Sequence, residues 1–233
     1  ISSDTEVQEM NHDEIYEFLA TQHRDFWQNL SDEEKEYVAS TSGSVSYKAG
    51  QNIHSSGNRC AGVLFIEKGY LRIYIMSEDG KEVTLYRLGD GEVCIMSASC
   101  VMDDITFDVY IDAEADTEAL LLPTSTFSKL RKNNIYIENY SNKMKAMRFS
   151  DAMWTMQQIL FFSFDKRLAI FLYDELVKHG PIIRYSHMDI AKYLGSAREV
   201  VSRMLKYFET EGIVKVSRKE IEIIDKKKLM EHI

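Results

Sequence analysis

Two kinds of hydrophobic patterning divide the chain. From Gly43 to about Leu122, apolar residues come in short runs separated by turn signals. Gly62-Val63-Leu64-Phe65-Ile66 is followed by Tyr70-Leu71-Arg72-Ile73-Tyr74-Ile75 and then by Val83-Thr84-Leu85-Tyr86. Eight of the eleven glycines fall between Gly43 and Gly91, so the tight turns concentrate there. Asp79-Gly80 between two strand-like runs predicts a hairpin, because both residues tolerate the left-handed backbone of a two-residue turn. Many short strands at this spacing predict an antiparallel roll or barrel. Ahead of it, Leu30-Ser31-Asp32-Glu33-Glu34 predicts a helix start, with Ser31 as N-cap and Glu34 three residues on.

From Thr124 to His179 there is no Gly or Pro, and the pattern turns helical. Two apolar stripes run along this stretch. One is Ile137, Tyr140, Met144, Met147, Trp154 and Phe161, interrupted by Asp151; the other is Phe149, Met153, Met156 and Leu160. One stripe is enough for a helix lying on its own domain. Two stripes predict a helix covered on two sides. The cover is either more of the same subunit or an identical helix from a second subunit in a short coiled coil. The second is the preferred reading, with Tyr140, Met144, Met147, Trp154 and Phe161 at the interface. No internal repeat is visible.

Tyr185 to Ile224 is the most informative segment. Ser186-His187-Met188-Asp189 reads as a capping box with Asp in place of Glu. Ile190, Ala191 and Leu194 then form an apolar face, and Gly195 ends the helix. Ser196-Ala197-Arg198-Glu199 reads as a second capping box. The helix it opens buries Val200, Val201, Met204, Leu205 and Phe208 and closes at Gly212. Two short helices joined around a glycine fit a helix-turn-helix. Ile213-Val214-Lys215-Val216 and Ile221-Glu222-Ile223-Ile224 read as two strands, joined by the basic turn Ser217-Arg218-Lys219-Glu220, and form a wing. Opposite the apolar face of the second helix stand Arg198, Glu199, Ser202, Arg203 and Lys206, on one strip near its N-terminal end. Arg can pair with both acceptors of a guanine edge, and Glu can accept from cytosine N4. The expected DNA contacts are therefore Ser186, His187, Ser196, Ala197, Arg198, Glu199, Ser202, Arg203, Lys206, Arg218 and Lys219.

The net charge of −9 looks wrong for a DNA binder until it is divided along the chain. Residues 1–163 carry 14 Lys/Arg against 26 Asp/Glu, whereas residues 164–233 carry 14 against 11. A basic module attached to an acidic one still meets a polyanion locally. The 233 residues, 45% of them hydrophobic, suit two ordinary soluble domains. No apolar run reaches the roughly 18–20 residues of a membrane span. Ile1-Ser2-Ser3-Asp4 lacks a signal-peptide pattern, and an opening residue other than Met implies a trimmed start. Cys60, Cys94 and Cys100 are too few for a disulfide framework, so a reducing cytoplasm is expected.

Gly195-Ser196-Ala197-Arg198-Glu199-Val200-Val201-Ser202-Arg203 resembles the recognition-helix motif of the Crp/Fnr regulators, the family of the cyclic-AMP receptor protein and the fumarate-nitrate regulator. The resemblance covers nearly the whole chain. Lys48-Ala49-Gly50, Ser56-Gly57, Glu67-Lys68-Gly69 and Asp79-Gly80-Lys81-Glu82 resemble the turns of the family's cyclic-nucleotide-binding β-roll. The implied fold class is α+β. It comprises an effector-sensing antiparallel β-roll (a double-stranded β-helix) with N-terminal helices over 1–130, a dimerisation helix over 131–163, and a winged helix-turn-helix over 164–233. The resemblance implies a homodimer on a pseudo-palindromic operator with TGA-like half-sites, acting with RNA polymerase. Arg198, Glu199 and Arg203 match the base-reading positions of the cyclic-AMP branch, and Ser202 matches a base-reading serine of the fumarate-nitrate branch.

The sensor half departs from the family's phosphate-binding pattern. No Lys or Arg occurs between Arg87 and Lys129, while Glu92, Asp103, Asp104, Asp108, Asp112, Glu114, Asp116 and Glu118 do. A buried phosphate needs a cation or several aimed N–H donors. Where the cyclic-AMP branch has a Gly-Glu pair and an Arg followed by a small polar residue, this chain has Cys94-Ile95-Met96-Ser97-Ala98-Ser99-Cys100 and Phe107-Asp108. The expected effector pocket, Cys94, Met96, Ser97, Cys100 and Asp108, therefore suits a neutral, apolar or cationic metabolite. A thiol signal through Cys94 and Cys100 is the alternative, and ordinary small apolar packing of these cysteines is favoured over it. No cofactor or metal is expected, because the cysteine spacing matches no zinc motif and the fumarate-nitrate N-terminal cysteine cluster is missing. His54, His179, His187 and His232 are scattered, against the ligand cluster of a metal enzyme on a β-roll. A cyclic-nucleotide module without DNA output is countered by the basic strip.

Overall fold

The structure is a computed structural model that describes residues 10–55, 62–95, 108–218 and 220–233. Among the described residues, three lead-in helices, α1 (His12–Gln22), α2 (Arg24–Trp27) and α3 (Asp32–Thr41), come first. Local caps set two of them. Asn11 and Glu14 form a capping box on α1, and Ser31 and Glu34 form the expected one on α3, with bonds of 3.2 and 2.8 Å.

The roll follows as β1 (Gly43–Tyr47), β2 (Asn52–His54), β3 (Val63–Lys68), β4 (Leu71–Met76), β5 (Glu82–Leu88), β6 (Val93–Cys94), β7 (Tyr110–Ala113) and β8 (Thr117–Leu122). These make two four-stranded sheets, ordered β1-β8-β3-β6 and β2-β7-β4-β5. Strand β8 pairs antiparallel with both β1 and β3. Leu64, Ile66, Ile73, Ile111 and Leu120 fill the interior, and Phe26, Phe65 and Phe127 join the lead-in helices and the helix after β8 to the same core. The hairpin at Asp79-Gly80 forms, with Ser77 N–H donating to Lys81 C=O at 2.9 Å. Gly69 is required between β3 and β4. Its φ is +104°, and a Cβ there would lie 2.5 Å from Thr117 Oγ1.

Helices α4 (Thr124–Asn133), α5 (Ile135–Phe161) and α6 (Phe164–His179) fill the stretch without Gly or Pro. The α4–α5 break is held at Asn134, whose side-chain amide donates to Asn29 C=O and to Glu34, each at 2.9 Å. Along α5, Ile137, Ser141 and Arg148 are buried. Tyr140 meets Phe26 at a tilted ring angle, with centroids 5.5 Å apart, and Met144 packs on the same core. The first stripe is thus partly covered at its start by the chain itself, with Tyr140 and Met144 half-buried, while Met147, Trp154 and Phe161 further along it are exposed. The second stripe is open: Phe149, Met153, Met156 and Leu160 are 69%, 44%, 52% and 65% exposed.

The chain divides into two compact units, one running to Ile75 and taking Leu85–Asp151, the other taking Met76–Thr84 and Ala152–Ile233. The division falls inside α5, whereas the boundary read from sequence, 163/164, falls at the α5–α6 break. After α6 come β9 (Ile182–Ile183), α7 (His187–Leu194), α8 (Arg198–Thr210), β10 (Val214–Ser217), β11 (Glu220–Ile223) and α9 (Lys226–Glu231). The strands form a three-stranded sheet ordered β10-β11-β9. Leu168, Leu172, Ile190, Val201, Leu205, Phe208 and Ile221 form a second core under it.

Candidate nucleic-acid interface

Helices α7 and α8 are placed by short-range chemistry. Ser186 caps α7: its hydroxyl accepts from Asp189 N–H at 3.2 Å, and the Asp189 carboxylate accepts from Ser186 N–H at 2.9 Å. Gly195 ends α7 in the left-handed region (φ +57°), where a side chain would be strained. Ser196 N–H then reaches back to Ala191 C=O at 2.9 Å, so the turn before α8 is held by backbone. The second capping box does not form. Ala197 is the N-cap and supplies no side-chain bond, because the left-handed turn spends Ser196 on closing α7.

Val201, Leu205 and Phe208 of α8 are buried, with Val200 and Met204 half-buried at the edges. Arg198, Glu199, Ser202, Arg203 and Lys206 all lie exposed on the opposite face. Ala197 is exposed, and Ser186, His187 and Ser196 are half-buried beside them. On the wing, Ser217 pairs with Glu220 across the turn that carries Arg218. Lys219 lies outside the described residues. A helix-turn-helix with an exposed polar strip at the start of its second helix can enter a major groove and meet base edges.

Three supporting residues carried no sequence signal. Arg167 on α6 donates from Nη1 to Leu194 C=O at 2.8 Å and so holds the last turn of α7. Burial pulls its pKa below the usual arginine value. Glu209 accepts from Lys206 Nζ at 2.9 Å and from Val216 N–H at 3.1 Å, tying the recognition helix to the wing. The Lys206 bond, then the Val216 bond, holds its carboxyl below the ordinary range. Lys206 is thereby less free than the rest of the strip. Arg184 engages Glu220 at 3.1 Å. Arg167–Leu194 and Arg184–Glu220 join residues far apart in sequence, and Glu209 reaches Val216 across a turn, where no periodicity points.

In the sensor unit, Cys94 is fully buried in the roll core. Met96, Ser97 and Cys100 lie outside the described residues. Asp108 is exposed at the approach to β7. It opposes the burial that lowers the pKa of His54. Burial, with Cys94 second, pushes Tyr47 up to about 12. Two buried arginines were missed by reading one interval of sequence. Arg72 stacks on Tyr74 at 4.2 Å. Arg148 from α5 bridges to Asp151 at 2.9 Å and Glu92 at 3.5 Å. Among the described residues no group of His, Cys, Asp and Glu could hold a metal ion, and no helix is long and apolar enough to cross a membrane.

Fold and site together define a DNA-binding transcription regulator with an N-terminal β-roll domain. The family profile described as Crp-like helix-turn-helix domain matches residues 166–232, and that of the cyclic nucleotide-binding domain matches residues 44–134. The chain is 41% identical to a Crp/Fnr-family protein of solved structure from Eubacterium rectale, covering 89% of this chain and 96% of that one with a TM-score of 0.86. It is 25% identical to the cyclic AMP receptor protein of Thermus thermophilus over 76% of this chain and 82% of that one. It is 24% identical to the transcriptional activator protein FnrA of Stutzerimonas stutzeri over 76% and 75%. The chain belongs to the Crp/Fnr family of transcription regulators.

Proposed function

We propose that the chain works as a homodimer that reads a pseudo-palindromic operator through α8 and is controlled by a small effector other than a cyclic nucleotide. The observation that carries this reading is the exposed strip Arg198, Glu199, Ser202 and Arg203 on a helix whose other face is buried. Two such strips reach half-sites about 34–36 Å apart when a two-fold axis relates them. The half-site carries a TGA-like core, as the family motif implies. RNA polymerase is the downstream partner, and the cytoplasm is the compartment.

Mutation of the strip tests it. Arg203→Ala loses roughly 1–3 kcal/mol of discrimination at one G·C pair. Gel shifts on an operator and on scrambled duplex measure that difference. Equal losses on both would remove the base-reading role.

For the effector, the acidic interval after Arg87 supports a neutral, apolar or cationic metabolite. Burial of Cys94 favours a packing role over a thiol sensor. A second reading, a cyclic-nucleotide effector, draws on the domain match over residues 44–134 and on the buried cations Arg72 and Arg148. Against it, Arg148 already faces two carboxylates of its own chain.

A further inference from the structure

A cavity of about 460 Å³ opens where the start of α7 meets the wing. Its walls include Ser186, His187, Arg198, Ser217, Arg218 and Glu220. The capping box occupies the Asp189 amide, and the amides of His187 and Met188 remain the open donors of the first turn. Two arginines, a histidine and the first turn of α7 therefore line a space larger than a phosphate group. The nearby acids are engaged: Glu220 accepts from Arg184, and Asp189 accepts from Ser186.

We propose that this cleft seats a backbone phosphate of bound DNA and that His187 takes up a proton as the phosphate enters, so that DNA binding is linked to proton uptake. The inference rests on the DNA-binding reading above and adds a regulatory property to it.

Charge balance around the imidazole gives the direction. Without DNA, burial and then the Arg198 guanidinium hold the His187 pKa below its ordinary value. Arg198 approaches from α8, Arg218 and the Arg184–Glu220 pair from the wing side, and Asp189 from its own helix. An entering phosphate adds a negative charge that favours the imidazolium. The complex then binds more protons than the free protein, so affinity rises as pH falls between the two pKa values and is flat above the higher one. One proton per subunit limits the slope to about tenfold per pH unit for each site.

A duplex recovered from a random-sequence pool by selection on this protein is the probe, with fluorescence anisotropy at constant ionic strength. From about pH 8 to about pH 6, the wild type tightens several-fold. His187→Gln stays at the weak level with no slope of its own. His187→Arg, permanently charged, binds at the higher pH as tightly as the wild type does at the lower. A His187→Gln variant that keeps the wild-type slope, or a His187→Arg variant no tighter than His187→Gln, overturns the proposal while leaving DNA binding intact. Failure of the wild type to enrich any duplex would instead remove the DNA reading and this inference with it.

Discussion

Leu160→Glu is the sharpest test of assembly. Leu160 closes the open stripe of α5, in which Phe149, Met153, Met156 and Leu160 follow spacings of four, three and four, the seam of a coiled coil. About two-thirds of Leu160 is exposed in the single chain, so most of its burial is still to be gained from a partner. Fully burying a Leu contributes roughly 1.5–3 kcal/mol, so the exposed share is worth about 1–2. A two-fold interface counts each residue twice, which makes the loss about 2–4 kcal/mol. That is roughly a 30- to 1000-fold rise in the dimer dissociation constant, before the cost of placing two carboxylates in a dry seam. The same exposure keeps the control clean, because a surface substitution changes monomer stability by only about 0.5 kcal/mol. Trp154 is a poorer choice, since it packs edge-on against Phe162 at 5.8 Å within its own chain. Sedimentation velocity at micromolar concentration, with thermal melts beside it, gives the answer. The wild type sediments as a dimer and the variant as a folded monomer. A wild-type monomer that still binds a full palindrome tightly would refute the reasoning.

Two further outcomes follow from the sensor unit. His23 is buried, and that burial lowers its pKa to about 4. The unfolded chain protonates it near 6.5, so below that pH the unfolded state binds more protons and stability falls. The contribution lost by about pH 4.5 is roughly 2–3 kcal/mol. His23→Leu lowers this acid sensitivity in urea unfolding, and an acid dependence identical to that of the wild type would contradict it. Isothermal titration with cyclic AMP gives no saturable heat at micromolar concentration, because a cyclic phosphate would leave water at a cost of several kcal/mol and meet, in Arg148, a cation already paired with Asp151 and Glu92; micromolar affinity would overturn the charge argument.

Local signals carried most of the fold. The capping residues Ser31–Glu34 and Ser186–Asp189, the Asp79-Gly80 turn and the Gly195 break act over three or four residues, and they form as the sequence predicts. Ser196 had the same local signature as Ser186 and failed, because a left-handed glycine just before it recruits its amide to close α7. A capping pattern read alone does not include what the preceding turn requires. The exposed strip on α8 was equally legible, since its residues differ from the buried face only by helical phase. What holds that strip was not: Arg167 meets Leu194 across 27 positions of chain, and nothing in the periodicity of α6 marks it.

The two stripes of α5 show where the limit lies. Both have helical spacing and comparable hydrophobicity, so periodicity alone cannot say which one the chain covers for itself. Phe26, more than a hundred positions upstream, lies against Tyr140 and covers the start of the first stripe, a contact that periodicity does not mark. Beyond that contact the helix stays open on both stripes: Phe149, Met153, Met156 and Leu160 of the second, and Met147, Trp154 and Phe161 of the first. The same long-range effect tempers the charge reading of the sensor. An interval without Lys or Arg is an acidic neighbourhood only if no cation arrives from elsewhere, and α5 delivers Arg148. It arrives with Asp151 from its own helix and meets Glu92, so the cation enters already neutralised. That pairing, more than the composition of the interval, weighs against a phosphate at Arg148, while Arg72 over Tyr74 remains the roll's second buried cation.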